Sequence, residues 1–147
     1  MTTQIPTPES PHSPLHELLQ LHGPRLLVVE DDWSLEPLVR RAAHSLSPPV
    51  AVDWCTSTAS ARERLAHQFY DIVLADYLLD GPEAGLALRG DCWRLQPQAI
   101  FAMTSSYPLD EYLHGVGRPG SPFLPKPFDL WSCRSFVASL LVREGQP

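Results

Sequence analysis

Short apolar runs alternate with helix-spaced segments along this chain, and that alternation is what most restricts its fold. Arg25-Leu-Leu-Val-Val-Glu30 is a strand-length apolar run that ends in an acid. A strand with one wet face would alternate apolar and polar residues, whereas a continuous run fits a strand covered on both sides, as in a parallel sheet. Leu35, Leu38, Val39, Ala42, Ala43 and Leu46 then follow helical spacing. Ser34 is the expected N-cap, and Pro37 falls in the first turn, where proline is tolerated. Val50-Ala-Val-Asp-Trp54 reads as a second strand and residues 57–68 as a second helix. Asp71-Ile-Val-Leu-Ala75 is a third strand ending at Asp76, followed by a helix over residues 86–95. Ala99-Ile-Phe-Ala-Met103 is a fourth strand ending at Thr104, and Phe123-Leu124 a short fifth ending near Lys126. Leu130, Cys133, Val137, Leu140 and Leu141 share one face of a last helix. Parallel strands need crossover connections, so this order predicts an α/β fold: a five-stranded parallel sheet with helices on both faces.

The organised domain occupies residues 25–143. Residues 1–24 form a proline-rich extension, expected to be partly disordered, with about two helical turns between Leu15 and Leu21 before Gly23-Pro24 stops them. Residues 144–147 are a short polar tail, and the initial Met1 favours a complete chain. The net charge of −6 argues against a nucleic-acid-binding surface, which is usually basic. No apolar run reaches the roughly 18 residues that suggest a membrane span. A signal peptide needs a basic start followed by an apolar stretch, and this N-terminus has neither. Cys55, Cys92 and Cys133 are odd in number and widely scattered. They fit neither a disulfide framework nor a zinc spacing, and are expected to be buried thiols in a reducing cytoplasm.

In parallel α/β sheets, sites form at the carboxyl ends of the strands. Here those ends carry Glu30, Asp31 and Asp32, then Asp76, Thr104 and Lys126. Carboxylates converging on one rim repel each other and favour a cation among them. A hard divalent ion with oxygen ligands answers this, and Mg²⁺ is the one usually partnered with phosphate chemistry. A carboxylate in that setting can attack a phosphoryl group and become an aspartyl phosphate. The outer phosphoryl oxygens then need donors, and Thr104 and Lys126 offer a hydroxyl and an ammonium.

With these residues in place the chain resembles the response-regulator receiver family. Leu27-Val-Val-Glu-Asp-Asp32 is similar to its acidic signature, and Asp71-Ile-Val-Leu-Ala-Asp76 to the strand ending in its phosphoacceptor. Met103-Thr-Ser105 is similar to its switch hydroxyl, and Phe123-Leu-Pro-Lys-Pro-Phe128 to its switch aromatic, phosphate-binding lysine and following proline. The resemblance implies a flavodoxin-like, doubly wound (βα)5 fold with strand order 2-1-3-4-5. It implies Asp76 as phosphoacceptor, with Mg²⁺ held by Asp31 and Asp76, by Glu30 through water, and by the Leu78 backbone carbonyl. It further implies Thr104, Phe123 and Lys126 as phosphoryl-binding and switch residues, and a cis bond before Pro127. The implied function is a single-domain response regulator of a cytoplasmic two-component phosphorelay. It would take phosphate from a histidine kinase or a histidine phosphotransfer protein. It would act through a downstream protein partner, supporting its own phosphotransfer and autodephosphorylation without turning over a substrate.

Two stretches depart from the family pattern. The loop from Leu79 to Gly85 is slightly longer than usual and lacks the usual proline two residues after Leu78. The stretch from Tyr107 to Pro119 carries Gly115, Gly117 and Pro119, and is expected to hold only a short, loose fourth helix. Gly115-Val-Gly-Arg-Pro-Gly120 matches a dinucleotide fingerprint literally, but that mechanism demands a strand before it and a helix after it. His12 and His16 have metal-like spacing in a tail with no third ligand. Two other functions fit the same motifs: a receiver module from a hybrid histidine kinase, with residues 1–24 as linker, and an Asp-nucleophile phosphatase. The phosphatase would need a second Asp two residues after the nucleophile, where Leu78 stands. On the last helix Trp131 and Val142 lie opposite the apolar face, so either residues 15–21 cover them or they form an association surface, as in a homodimer.

Overall fold

The computed structural model describes residues 23–107 and 121–144. The expected N-terminal extension, the segment after Tyr107 with its glycine motif, and the last residues of the tail lie outside the described residues.

Five strands form one parallel sheet: β1 (Arg25–Val29), β2 (Ala51–Cys55), β3 (Ile72–Asp76), β4 (Ile100–Ser105) and β5 (Phe123–Pro125). Their spatial order is β2-β1-β3-β4-β5, the expected 2-1-3-4-5. A 3₁₀ turn at Trp33–Leu35 leads into helix α1 (Glu36–His44). Among the described residues the further helices are α2 (Thr58–His67), α3 (Pro82–Leu95) and α4 (Leu130–Glu144).

Leu26, Leu27, Val28 and Val29 are all buried, which is what a strand covered on both faces requires. Alternate residues go to opposite layers. Leu27, Val29, Val73, Ala75, Phe101 and Met103 pack with Ala61 and Leu65 of α2 and Leu88 and Cys92 of α3. Leu26, Val28, Trp54, Ile72, Leu74 and Ala102 pack against Val39, Ala42 and Ala43 of α1 and Cys133, Val137 and Leu140 of α4. Leu130 and Leu141 join the second layer only at its partly covered margin. Trp131 is 70 % exposed, with the Arg134 guanidinium 5.6 Å from its ring, and Val142 is exposed as well.

Two boundaries differ from expectation. Ser34 does not cap α1. Asp32 accepts instead from the Ser34 N–H and hydroxyl, closing the 3₁₀ turn, and α1 begins after it with no side-chain cap. Helix α3 begins four residues before the expected Leu86, because Gly81, at φ 92°, turns the chain into Pro82. The bond before Pro127 is cis as expected, and the Ser47–Pro48 bond is cis as well.

Candidate functional site

The register of the sheet assembles the site. Val29 pairs with Ala75, so the residues that follow them, Glu30 and Asp76, stand at one level. Asp76 pairs with Thr104 across β3 and β4, and Thr104 pairs with Leu124, two residues before Lys126. Glu30, Asp31, Asp76, Thr104 and Lys126 therefore stand at the carboxyl ends of their strands, while Phe123 opens β5. Glu30, Asp31 and Asp76 bring one carboxylate oxygen apiece within 4.8 Å of one another. Of the expected set, Thr104 is buried beside Asp76, while Phe123 packs half-buried against the α2–α3 layer.

Lys126 is the cation among these acids. Its Nζ lies 2.8 Å from Glu30 Oε2 and 3.5 Å from Asp76 Oδ2, so Glu30 is its tighter partner. Burial alone would lower the lysine's pKa, but the Glu30 hydrogen bond and the charges of Glu30 and Asp76 outweigh it and hold the ammonium above its ordinary value. Glu30 moves the other way relative to its charged form. At 2 % exposure, burial raises its carboxyl above the ordinary value, Asp76 adds to the rise, and Lys126 only partly offsets it. The two partners differ because Lys126 faces two carboxylates while Glu30 faces one ammonium and one further acid.

Thr104 Oγ1 is buried and has no hydrogen-bond partner, although a hydroxyl can both donate and accept. Its backbone carbonyl accepts from the Tyr77 N–H, which fixes the strand beside the residue after Asp76. A buried polar atom without a partner is uncommon and fits a group that meets an added ligand. The chemistry of the donor set agrees: three carboxylates supply oxygen ligands alone, which suits Mg²⁺ and not a softer metal. The Leu78 carbonyl, expected as a further ligand, accepts from the Gly81 N–H at 3.1 Å, which occupies one of its two lone pairs.

Two features of the site were not foreseen. The Trp54 Nε1–H donates to the Glu30 carbonyl, and Trp33 stacks on Trp54 at a ring separation of 6.1 Å. Asp80 has a positive φ of 57°, and its carboxylate accepts from both the backbone N–H and the hydroxyl of Thr58. The sequence signal for the second was the missing proline after Leu78, which marked this loop as unusual.

No family model matches the chain. Among curated proteins it is 31 % identical over 128 residues to the transcriptional activator protein PfeR of Pseudomonas aeruginosa, an alignment covering 87 % of this chain and 41 % of that protein. It is 26 % identical over 119 residues to the transcriptional regulatory protein QseB of Escherichia coli O157:H7, covering 81 % of this chain and 53 % of that protein. The chain thus spans about half the length of the curated relatives it matches. Among solved structures it is similar to a response regulator receiver protein from Sinorhizobium medicae, with TM-score 0.71, 22 % identity, and 84 % of this chain and 98 % of that one covered. It is also similar to a CheY-like receiver domain protein from Methanospirillum hungatei, with TM-score 0.70, 17 % identity, and 83 % and 96 % covered.

Proposed function

We propose that this chain is a response-regulator receiver domain, a reading supported by its fold and by its similarity to two transcriptional regulators, that Asp76 accepts a phosphoryl group and that the output is protein contact. The observation that carries this is the convergence of Glu30, Asp31 and Asp76 within 4.8 Å, with Lys126 Nζ 3.5 Å from Asp76. An Asp76 carboxylate oxygen forms the new O–P bond as the P–N bond of a phosphohistidine donor breaks, so that the histidine keeps the electron pair. Lys126 then pairs with one phosphoryl oxygen, and the Thr104 hydroxyl finds in another the partner it lacks. Mg²⁺, held by Asp31, Asp76 and the Leu78 carbonyl, with Glu30 through water, would supply the charge that lets acids and phosphate share one rim.

The donor in this reading is a histidine kinase or a histidine phosphotransfer protein, and the compartment is the cytoplasm. No helix among the described residues is long and apolar enough to cross a membrane. The chain acts by presenting a changed surface and turns over no separate substrate. Trp131 on α4 is one contact such a surface offers, to a second copy or to another protein.

The test is incubation with acetyl phosphate and Mg²⁺ followed by intact-mass measurement. One phosphoryl mass is expected, lost at alkaline pH and absent from Asp76→Asn. Labelling of Asp76→Asn at the parental level refutes the reading.

A further inference from the structure

The loop that follows Asp76 is held in two ways. Inside the loop, the Leu78 N–H donates to Asp76 Oδ1 at 3.2 Å, the Leu79 N–H to the Asp76 carbonyl, and the Gly81 N–H to the Leu78 carbonyl. On one side the Leu79 side chain is buried in the α2–α3 core layer. The hydrogen bonds are local, whereas Leu79 anchors the loop to the core, and the exposed Asp80 that follows is tied separately. Asp80 supplies a polar long-range tie. Its Oδ2 accepts from the Thr58 N–H at 2.9 Å and from the Thr58 Oγ1 hydroxyl at 3.0 Å, across 22 residues of chain.

Each partner suits this role. Thr58 is the first residue of α2, so its N–H has no partner inside the helix and the helix end favours an anion. Ser57 already caps the Ser60 N–H, so Asp80 serves a donor the ordinary cap does not reach. Asp80 adopts φ 57°, a left-handed conformation that Asp and Asn tolerate and most residues do not. In that conformation its carboxylate meets Thr58, and Asp80 stands between Leu78, whose carbonyl accepts, and Gly81, whose N–H donates to it.

We propose that Asp80 is a positioning residue: by clamping the loop to the start of α2 it fixes the direction of the Leu78 carbonyl toward the acidic site. This deepens the phosphoacceptor reading and rests on it. A flexible loop would have to order its carbonyl each time an ion bound, and the clamp removes that cost beforehand. Groups that orient a metal ligand without touching the metal typically govern about 10–100-fold in affinity.

The experiment is calorimetric titration with Mg²⁺ of the parent, Asp80→Gly, Asp80→Asn and Thr58→Val, with thermal unfolding of each in EDTA. Glycine keeps the positive φ and removes the clamp; asparagine keeps both the φ and an acceptor oxygen; valine removes the hydroxyl and leaves the N–H. Expected is a loss of Mg²⁺ affinity of about tenfold or more in Asp80→Gly, a smaller loss in Thr58→Val, and near-parental binding in Asp80→Asn. Parental affinity in Asp80→Gly, with only its melting temperature lowered, means that the clamp is purely structural and overturns the proposal. Should Asp80→Gly fail to fold, undiminished affinity in Thr58→Val overturns it instead. A parent that binds no Mg²⁺ overturns the phosphoacceptor reading underneath, which separates the two failures.

Discussion

Burial and Asp76 press the Glu30 carboxyl toward its neutral form, and Lys126 presses it toward the charged one. The net result is a folded pKa above the ordinary 4.5. In the window between 4.5 and that raised value the folded chain holds more protons than the unfolded chain. By linkage, this group's contribution to stability falls as pH rises through the window, and is recovered as pH falls back toward 4.5. Urea unfolding in EDTA across mildly acidic pH should show this slope in the parent and a flatter profile in Glu30→Gln. An identical slope in both proteins would assign the dependence to another group. Lys126 alone does not bring Glu30 back to its ordinary value.

Two glycines of α3 differ by what a side chain would meet. A Cβ at Gly90 has nothing within 4 Å, so Gly90→Ala should stabilise the protein by about 1 kcal/mol through helix propensity alone. A Cβ at Gly85 would stand 3.2 Å from the Tyr77 carbonyl oxygen and 3.4 Å from Met103 Cε. Tyr77 is tied to Thr104 through its N–H and follows Asp76, so a shift of that carbonyl carries the backbone beside Asp76 with it. Gly85→Ala should forfeit the propensity gain and slow acetyl phosphate labelling of Asp76, whereas Gly90→Ala labels at the parental rate. Equal stabilisation by both, read from urea midpoints, would show that α3 shifts freely over β3. At this scale the strands were legible because apolar runs write a doubly covered strand directly into the sequence. The start of α3 was less so, since Gly81-Pro82 reads equally as a turn. Gln96 was not legible at all. It accepts from the Tyr70 N–H and donates to the Leu65 and Gln68 carbonyls, joining elements 26 to 31 residues apart. Local pattern carries no trace of such a tie. The same is true of Asp80 and Thr58.

Across the whole molecule, the candidate site was legible because a parallel sheet places every strand's carboxyl end on one edge. Residue type at those ends then read as chemistry. What could not be read was which acid Lys126 prefers, because the 2.8 Å and 3.5 Å separations depend on how two distant strands are staggered. The layering of the core has a further consequence. Cys55 and Cys92 sit in one layer and Cys133 in the other, and burial pushes all three thiols up to about 11. At pH 8 a closed chain offers almost no thiolate, so a thiol reagent reacts only in moments when a layer is exposed. The three cysteines therefore act as a clock with a hand on each side of the sheet. Because β1 and β3 contribute side chains to both layers, opening one should open the other, and all three should label with one time constant, read by mass spectrometry of digested samples. A faster Cys133 would mean that α4 lifts from the sheet by itself, and that the two sides keep separate time.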